Sequence, residues 1–244
     1  MSVVNSSTSS GPPVVLVHGW GGSYRDTWER TGVTALLADA GRPVLGVDLL
    51  GHGSAPKPHD PEAYADLTER VLEAMPADPV DAVGFSLGAL TILRAAIDHP
   101  ERFNRLVLAG IGRNVFERDD SGTQRILAAL DRVRDGSTDA DDEVDNVSRL
   151  FAQYAQQSGN DIDALAAVMR RPPGAAITEE ALAAITCPTL IVVGDRDFVY
   201  PADQLVAALP NARAAVLKNV DHFATPEAFG FIDAMLEFLD AVPV

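Results

Sequence analysis

Cysteine is nearly absent: Cys187 is the only one in 244 residues. That excludes an intrachain disulfide framework and a cysteine-based zinc site. Cys187 stands just before Pro188 and an apolar run, a setting for a buried structural thiol rather than a reactive one. Positive charge is also scarce. Lys and Arg total 19 against 35 acids, a net charge of −16. Such a chain is repelled by nucleic acid and by anionic membrane surfaces, so neither is expected as a partner. Long hydrophobic runs are missing; stretches such as Thr189 to Val193 are far too short to span a bilayer. Residues 1–12 carry neither the basic start nor the apolar stretch of a secretory signal, so they are expected to form a flexible tail on a cytoplasmic protein.

What is present is an ample core, with 47% hydrophobic residues, enough for one large α/β domain with an inserted subdomain. Apolar strand-like runs recur at Val14 to Val17, Pro43 to Val47, Val80 to Phe85, Arg105 to Ala109, Thr189 to Val193 and Ala214 to Leu217. Helical segments separate them, including Gly32 to Ala40, Pro61 to Met75 and a closing helix over Glu227 to Leu239. Strands buried on both faces and alternating with helices predict a mainly parallel sheet of six or seven strands covered on both sides.

The rhythm breaks between Ile111 and Ile185, where no strand pattern occurs. Helical spacing is found over Gln124 to Val133, Asp142 to Gln157 and Asp161 to Met169. We expect a helical cap over 112–185, inserted into a core formed by 13–111 and 186–244. Asp139, Asp141, Asp142, Glu143 and Asp145 crowd together within it. Without the central glycine of a calcium loop they are better read as a solvated helix N-terminus favoured by the helix dipole.

The richest signal is Gly84-Phe85-Ser86-Leu87-Gly88, set between an apolar β-branched strand and an Ala/Leu/Ile-rich segment. Strand, sharp turn and helix with serine at the apex is the context of a nucleophile elbow. A serine that merely caps a helix gives a similar pattern, so the rest of the chain must decide. Serine needs a base, and the base an orienting acid. His99 falls about ten residues down the helix from the serine, and His59 lies in a Pro-rich surface loop. His52 is a loop histidine, and His18 braces its own loop. His222 follows the sixth strand, at the same carboxyl edge as the elbow, and is the expected base. Gly194-Asp195-Arg196-Asp197 follows the fifth strand; Asp197 is favoured as the acid, with Asp195 as the alternative. An oxyanion hole needs fixed N–H donors, for which Leu87 and Trp20, in the His18-Gly19-Trp20-Gly21-Gly22 loop, are the candidates.

Taken together, V-V-L-V-H-G-W-G-G-S at 14–23, V-D-L-L-G-H-G at 47–53, the elbow, P-T-L-I-V-V-G-D-R-D at 188–197 and D-H-F at 221–223 resemble the α/β-hydrolase superfamily. The resemblance covers nearly the whole chain. It implies the α/β-hydrolase fold, a triad of Ser86, Asp197 and His222, oxyanion donors at Trp20 and Leu87, and a cap. Family members often carry two further N-terminal strands, and at least one is expected to be missing. Many have glycine before the histidine; here Asp221 stands there and is expected to tolerate an unusual backbone.

Serine rather than aspartate at the elbow points to acyl transfer. The expected activity is hydrolysis of a small or medium ester, thioester or lactone, a small-molecule acyl substrate, with no cofactor and no metal. The same groups could instead serve C–C bond hydrolysis, a haloperoxidase-like perhydrolase or a lyase, or a silent hydrolase fold could bind ligands. Neither the pocket-lining residues nor the oligomeric state can be read from the sequence; Trp20, Phe116, Phe151, Tyr154, Met169 and Phe198 are as well suited to an ordinary core.

Overall fold

The computed structural model describes residues 11–117, 119–136 and 145–243. Six strands form one sheet: β1 (Val14–Val17), β2 (Val44–Val47), β3 (Val80–Phe85), β4 (Phe103–Ala109), β5 (Thr189–Gly194) and β6 (Ala212–Leu217). Their order is β2-β1-β3-β4-β5-β6 and every pairing is parallel. No strand precedes β1 among the described residues, so β2 forms the sheet edge.

Alternation along β1 shows how the two faces are built. Val14 and Leu16 enter a cluster with Val33 and Leu37 of α1 (Val33–Asp39) and with Phe231, Met235 and Leu236 of α9 (Phe229–Phe238). Val15 and Val17 enter the opposite cluster, with Val71 of α2 (Thr68–Ala74), Ile92 and Leu93 of α3 (Leu87–Asp98) and Leu205 of α8 (Asp203–Ala208). Side chains that point alternately up and down the sheet thus supply two cores, each closed by helices. The helical stretch read over Pro61 to Met75 is split into a 3-10 turn at Pro61–Tyr64 and α2. The break comes where the Asp66 carboxylate accepts the Thr68 amide and hydroxyl, both at 2.7 Å, and so starts a new helix.

The interval between β4 and β5 has no strand among its described residues; its α-helices are α4 (Asp120–Arg134), α5 (Asn146–Ala155), α6 (Ile162–Arg170) and the short α7 (Glu179–Leu182), which the sequence pattern did not separate. Asp119, Asp145 and Asp161 each cap the following helix through a side-chain oxygen. Of the acidic run, Asp145 is therefore a helix cap, its carboxylate accepting the Ser148 amide at 3.0 Å and hydroxyl at 2.7 Å. Asp139, Asp141, Asp142 and Glu143 lie outside the described residues, as does most of the expected tail. No helix among the described residues is long and apolar enough to cross a membrane.

At the end of the sheet where β1 and β3 begin, Arg42 and Asp81 form a buried ion pair. The guanidinium also donates to the Leu239 carbonyl at 2.7 Å and to the Pro12 carbonyl, and Asn104 donates to the other Asp81 oxygen at 2.7 Å. Removing one partner of such a pair strands the other in a dry site. Asp81→Ala should therefore lower the unfolding free energy by about 3–5 kcal/mol. Urea unfolding tests this; an unshifted midpoint would mean that the pair contributes nothing.

Candidate active site

Four loops leave the carboxyl ends of β1, β3, β5 and β6 and converge. Ser86 sits between β3 and α3 with φ 51° and ψ −112°, a conformation that costs a non-glycine residue about 1–3 kcal/mol. The neighbouring glycines make the turn possible. A Cβ at Gly84 would lie 2.7 Å from the Ala89 backbone, and one at Gly88 would lie 2.4 Å from the carbonyls of Val17 and His18. The Ser86 amide is fixed by the Ala109 carbonyl at 2.8 Å. Its hydroxyl is thereby held out at the start of α3, where unpaired helix N–H groups favour negative charge.

His222 Nε2 lies 2.9 Å from Ser86 Oγ. Its Nδ1 lies 3.0 and 2.9 Å from the two oxygens of Asp197. Both His222 and Asp197 are buried. Asp197 is held in turn by the Val199 amide on Oδ1 at 3.0 Å. The alternative carboxylate is used elsewhere: Asp195 is exposed and accepts the Asn219 amide at 2.7 Å. The hydroxyl, imidazole and carboxylate therefore form one hydrogen-bonded line, suited to moving a proton from the hydroxyl to an imidazole of fixed orientation.

The backbone amides of Trp20 and Leu87 have no hydrogen-bond acceptor among the described residues. Gly19 packs close by, where a Cβ would come within 3.3 Å of the Ser86 Cβ. The Trp20 indole does more than line a wall: its Nε1 donates to the Leu165 carbonyl of α6 at 3.0 Å. Asp221 departs from the expectation. Its backbone is not left-handed; that conformation falls on Asn219, with φ 60°. Asp221 instead caps the turn after His222, its carboxylate accepting the Ala224 amide at 3.0 Å.

The remaining histidines take structural places. His18 is fully buried; its Nδ1 donates to the Gly19 carbonyl at 2.7 Å, and its Nε2 accepts the Leu49 amide at 3.1 Å. Burial pulls its pKa down, against the pull of Gly19 and Asp48. His52 packs on it with ring centroids 5.1 Å apart, donates through Nδ1 to the Leu50 carbonyl at 3.0 Å and leaves Nε2 buried without a partner among the described residues. Burial first, and the neighbouring His18 second, push its pKa down to about 3. His99 is exposed beside Glu101. His59 is exposed as expected, but it also reaches the start of α6: its Nε2 lies 3.0 Å from Asp161, whose hydrogen bond raises its pKa. With Asp163 this pair forms the one group of metal-binding residue types found together among the described residues, ligand atoms within 4.8 Å of one another. Asp161 already serves His59 and caps α6, so the group is read as an ion pair.

Aromatic rings surround the imidazole. Phe198 stacks against His222 at 4.4 Å and Phe85 at 5.0 Å, and Phe223 meets it edge-on at 5.6 Å. From α5, Phe151 reaches Trp20 at 5.3 Å and Phe223 at 5.2 Å, and Tyr154 reaches Phe223 at 5.9 Å. Trp20, Phe151, Tyr154 and Phe198 are thus brought together at the site, with Phe223 added. Phe116 and Met169 are partly buried against the main core.

Comparison with known proteins bears on the family of the chain. The family model described as "Alpha/beta hydrolase family" matches residues 14–234. The chain is 26% identical over 253 residues to a pimeloyl-[acyl-carrier protein] methyl ester esterase of Neisseria meningitidis, covering 92% of this chain and 78% of that protein. It is 29% identical over 209 residues to a 2-hydroxymuconate semialdehyde hydrolase of Pseudomonas sp. CF600, covering 80% and 73%. Among solved structures, a bromoperoxidase from Bacillus anthracis superposes with a TM-score of 0.70 at 26% identity, covering 95% of this chain and 93% of that one. A match running from the first strand into the last helix leaves one conclusion: the chain belongs to the alpha/beta hydrolase family.

Proposed function

We propose that the protein is a serine hydrolase that cleaves a small or medium carboxylic ester, thioester or lactone through an acyl-enzyme on Ser86. The observation that carries this reading is the unbroken line from Ser86 Oγ to His222 to Asp197. In the first half-reaction Ser86 Oγ attacks the substrate carbonyl carbon while His222 Nε2 takes its proton. Asp197 holds Nδ1 protonated, which leaves Nε2 free to accept, and it stabilises the imidazolium that forms. The carbonyl oxygen becomes an oxyanion beside the unpaired amides of Trp20 and Leu87, each of which would lower the barrier by about 3 kcal/mol. The imidazolium then protonates the departing alcohol or thiol. In the second half water attacks the acyl group, His222 takes its proton, and Ser86 leaves with that proton restored.

The relative named as a methyl ester esterase supports the ester class. The carbonyl chemistry is complete with the chain's own groups, so no cofactor or metal enters it. We assign 112–185 to a cap over the site, because Phe151 and Tyr154 from that segment share the ring cluster around His222.

The test is labelling with a fluorophosphonate, alongside turnover of p-nitrophenyl esters of increasing acyl length, lactones, thioesters and a vinylogous diketone. We expect stoichiometric labelling that Ser86→Ala and His222→Ala abolish, with turnover of esters. A folded protein that takes no label would overturn the reading. Turnover of the diketone without the esters would replace it with C–C bond hydrolysis on the same residues.

A further inference from the structure

The loop bearing Trp20 contains three glycines among its four residues from 19 to 22. Such a sequence has little stiffness of its own, since each glycine enlarges the backbone's freedom. Yet an oxyanion donor works only when it is aimed in advance. The stiffness must come from elsewhere, and the hydrogen bonds show where. Asn160, between α5 and α6 in the cap, donates from Nδ2 to the Gly21 carbonyl at 2.8 Å and to the Tyr154 carbonyl at 3.1 Å. The Gly21 carbonyl and the Gly22 N–H belong to one planar peptide unit. That N–H donates to the Gly19 carbonyl at 3.1 Å. The Gly19 carbonyl and the Trp20 N–H belong to a second planar unit. Holding the Gly21 oxygen therefore sets the plane of the Gly22 N–H, which steadies the plane that carries the Trp20 N–H.

Two further contacts come from the same side. Gly21 has φ 73°, and its α-carbon lies so close to Tyr154 that a Cβ would sit 2.9 Å from the ring. The Trp20 indole is tied to Leu165. Core and cap thus grip the loop from opposite sides: His18 holds the Gly19 oxygen, and Asn160 holds the Gly21 oxygen.

On the hydrolase reading above, we infer that Asn160 is a positioning residue for the reaction: through two peptide planes the cap aims the Trp20 N–H at the developing oxyanion. The side chain touches neither Ser86 nor His222 in any described contact, so its effect falls on the tetrahedral state rather than on substrate capture. This makes the cap part of the catalytic apparatus as well as a cover.

The experiment compares Asn160→Ala with His59→Ala on the full chain, rates being normalised to the fraction of Ser86 that takes a phosphonate label. His59→Ala loosens the same cap one residue away, at Asp161, without touching the glycine-rich turn. Asn160→Ala should lower kcat about 10- to 100-fold. It should leave KM within about twofold, as expected when a transition-state contact is lost. A boronic acid that forms a tetrahedral adduct on Ser86 should weaken by a similar factor, while inhibition by the product acid stays unchanged. His59→Ala should leave all of these near wild type. The inference is overturned if Asn160→Ala retains wild-type kcat, if it raises KM alone, or if His59→Ala reproduces its full effect. Wild-type protein that neither takes the label nor hydrolyses esters would overturn the hydrolase reading itself, whereas active wild type with an equally active Asn160→Ala removes only this inference.

Discussion

Asp197→Asn should reduce kcat by about 10³- to 10⁴-fold while the protein stays folded. The replacement is nearly isosteric, and its amide oxygen can still accept the Val199 amide that now reaches Asp197 Oδ1. What changes is the face turned to His222. Both carboxylate oxygens lie within hydrogen-bond reach of Nδ1, so that nitrogen carries the proton and Nε2 presents its lone pair to Ser86. An amide NH2 in the same place favours the opposite tautomer, which has a hydrogen where the serine proton must go. It also removes the negative charge that would stabilise the imidazolium. Asp195→Asn is the matched control, because an asparagine oxygen can still accept the Asn219 amide. Steady-state kinetics with thermal melts of both variants decides the matter. Loss of turnover in Asp195→Asn but not in Asp197→Asn would reverse the assignment.

The second large effect concerns acid. His52 is held neutral in the fold, its pKa pushed from 6.5 down to about 3 by burial and by His18. In the unfolded chain it titrates near its ordinary value, so below that pH the unfolded state binds a proton that the folded state refuses. The neutral, folded form is fully favoured above pH 6.5, and the advantage is lost as pH falls from there toward 3. At pH 4.5 the loss from this group alone amounts to about 3 kcal/mol, two pH units at 1.36 kcal/mol each. Burial of His18 acts in the same direction. His52→Asn keeps an N–H to donate to Leu50 and has nothing to titrate. Urea unfolding at a series of pH values should show the variant losing less stability than wild type between pH 6.5 and 4.5, by roughly 1 kcal/mol per pH unit. Parallel curves for the two proteins would mean that His52 takes up its proton without unfolding.

The strands and the serine turn were legible because local rules and the fold agree there. Short β-branched runs buried on both faces have few other uses, and Gly84 is demanded by the Ala89 backbone a few residues on, although Gly88 answers to the Val17 and His18 carbonyls at the end of β1. Asp197 was legible for a different reason: it follows a strand at the carboxyl edge, at a spacing that lets the loop turn back to His222. Long-range side-chain ties were not legible. Nothing in Ser158-Gly159-Asn160 shows that the last of them reaches a carbonyl 139 positions earlier. The burial of His52 was equally hidden, since a histidine between two glycines looks like a solvent loop until His18 packs on it. Asp221 misled because the residue before the histidine was expected to bear the unusual backbone, which Asn219 bears instead.

Arg42 has a practical corollary. One guanidinium grips carbonyls at both Pro12 and Leu239, so the polypeptide enters and leaves the folded body at nearly the same spot. That spot lies where β1 and β3 begin, and Ser86 lies just beyond where β3 ends. A tether attached at that spot would therefore leave the end of the sheet that carries Ser86 free.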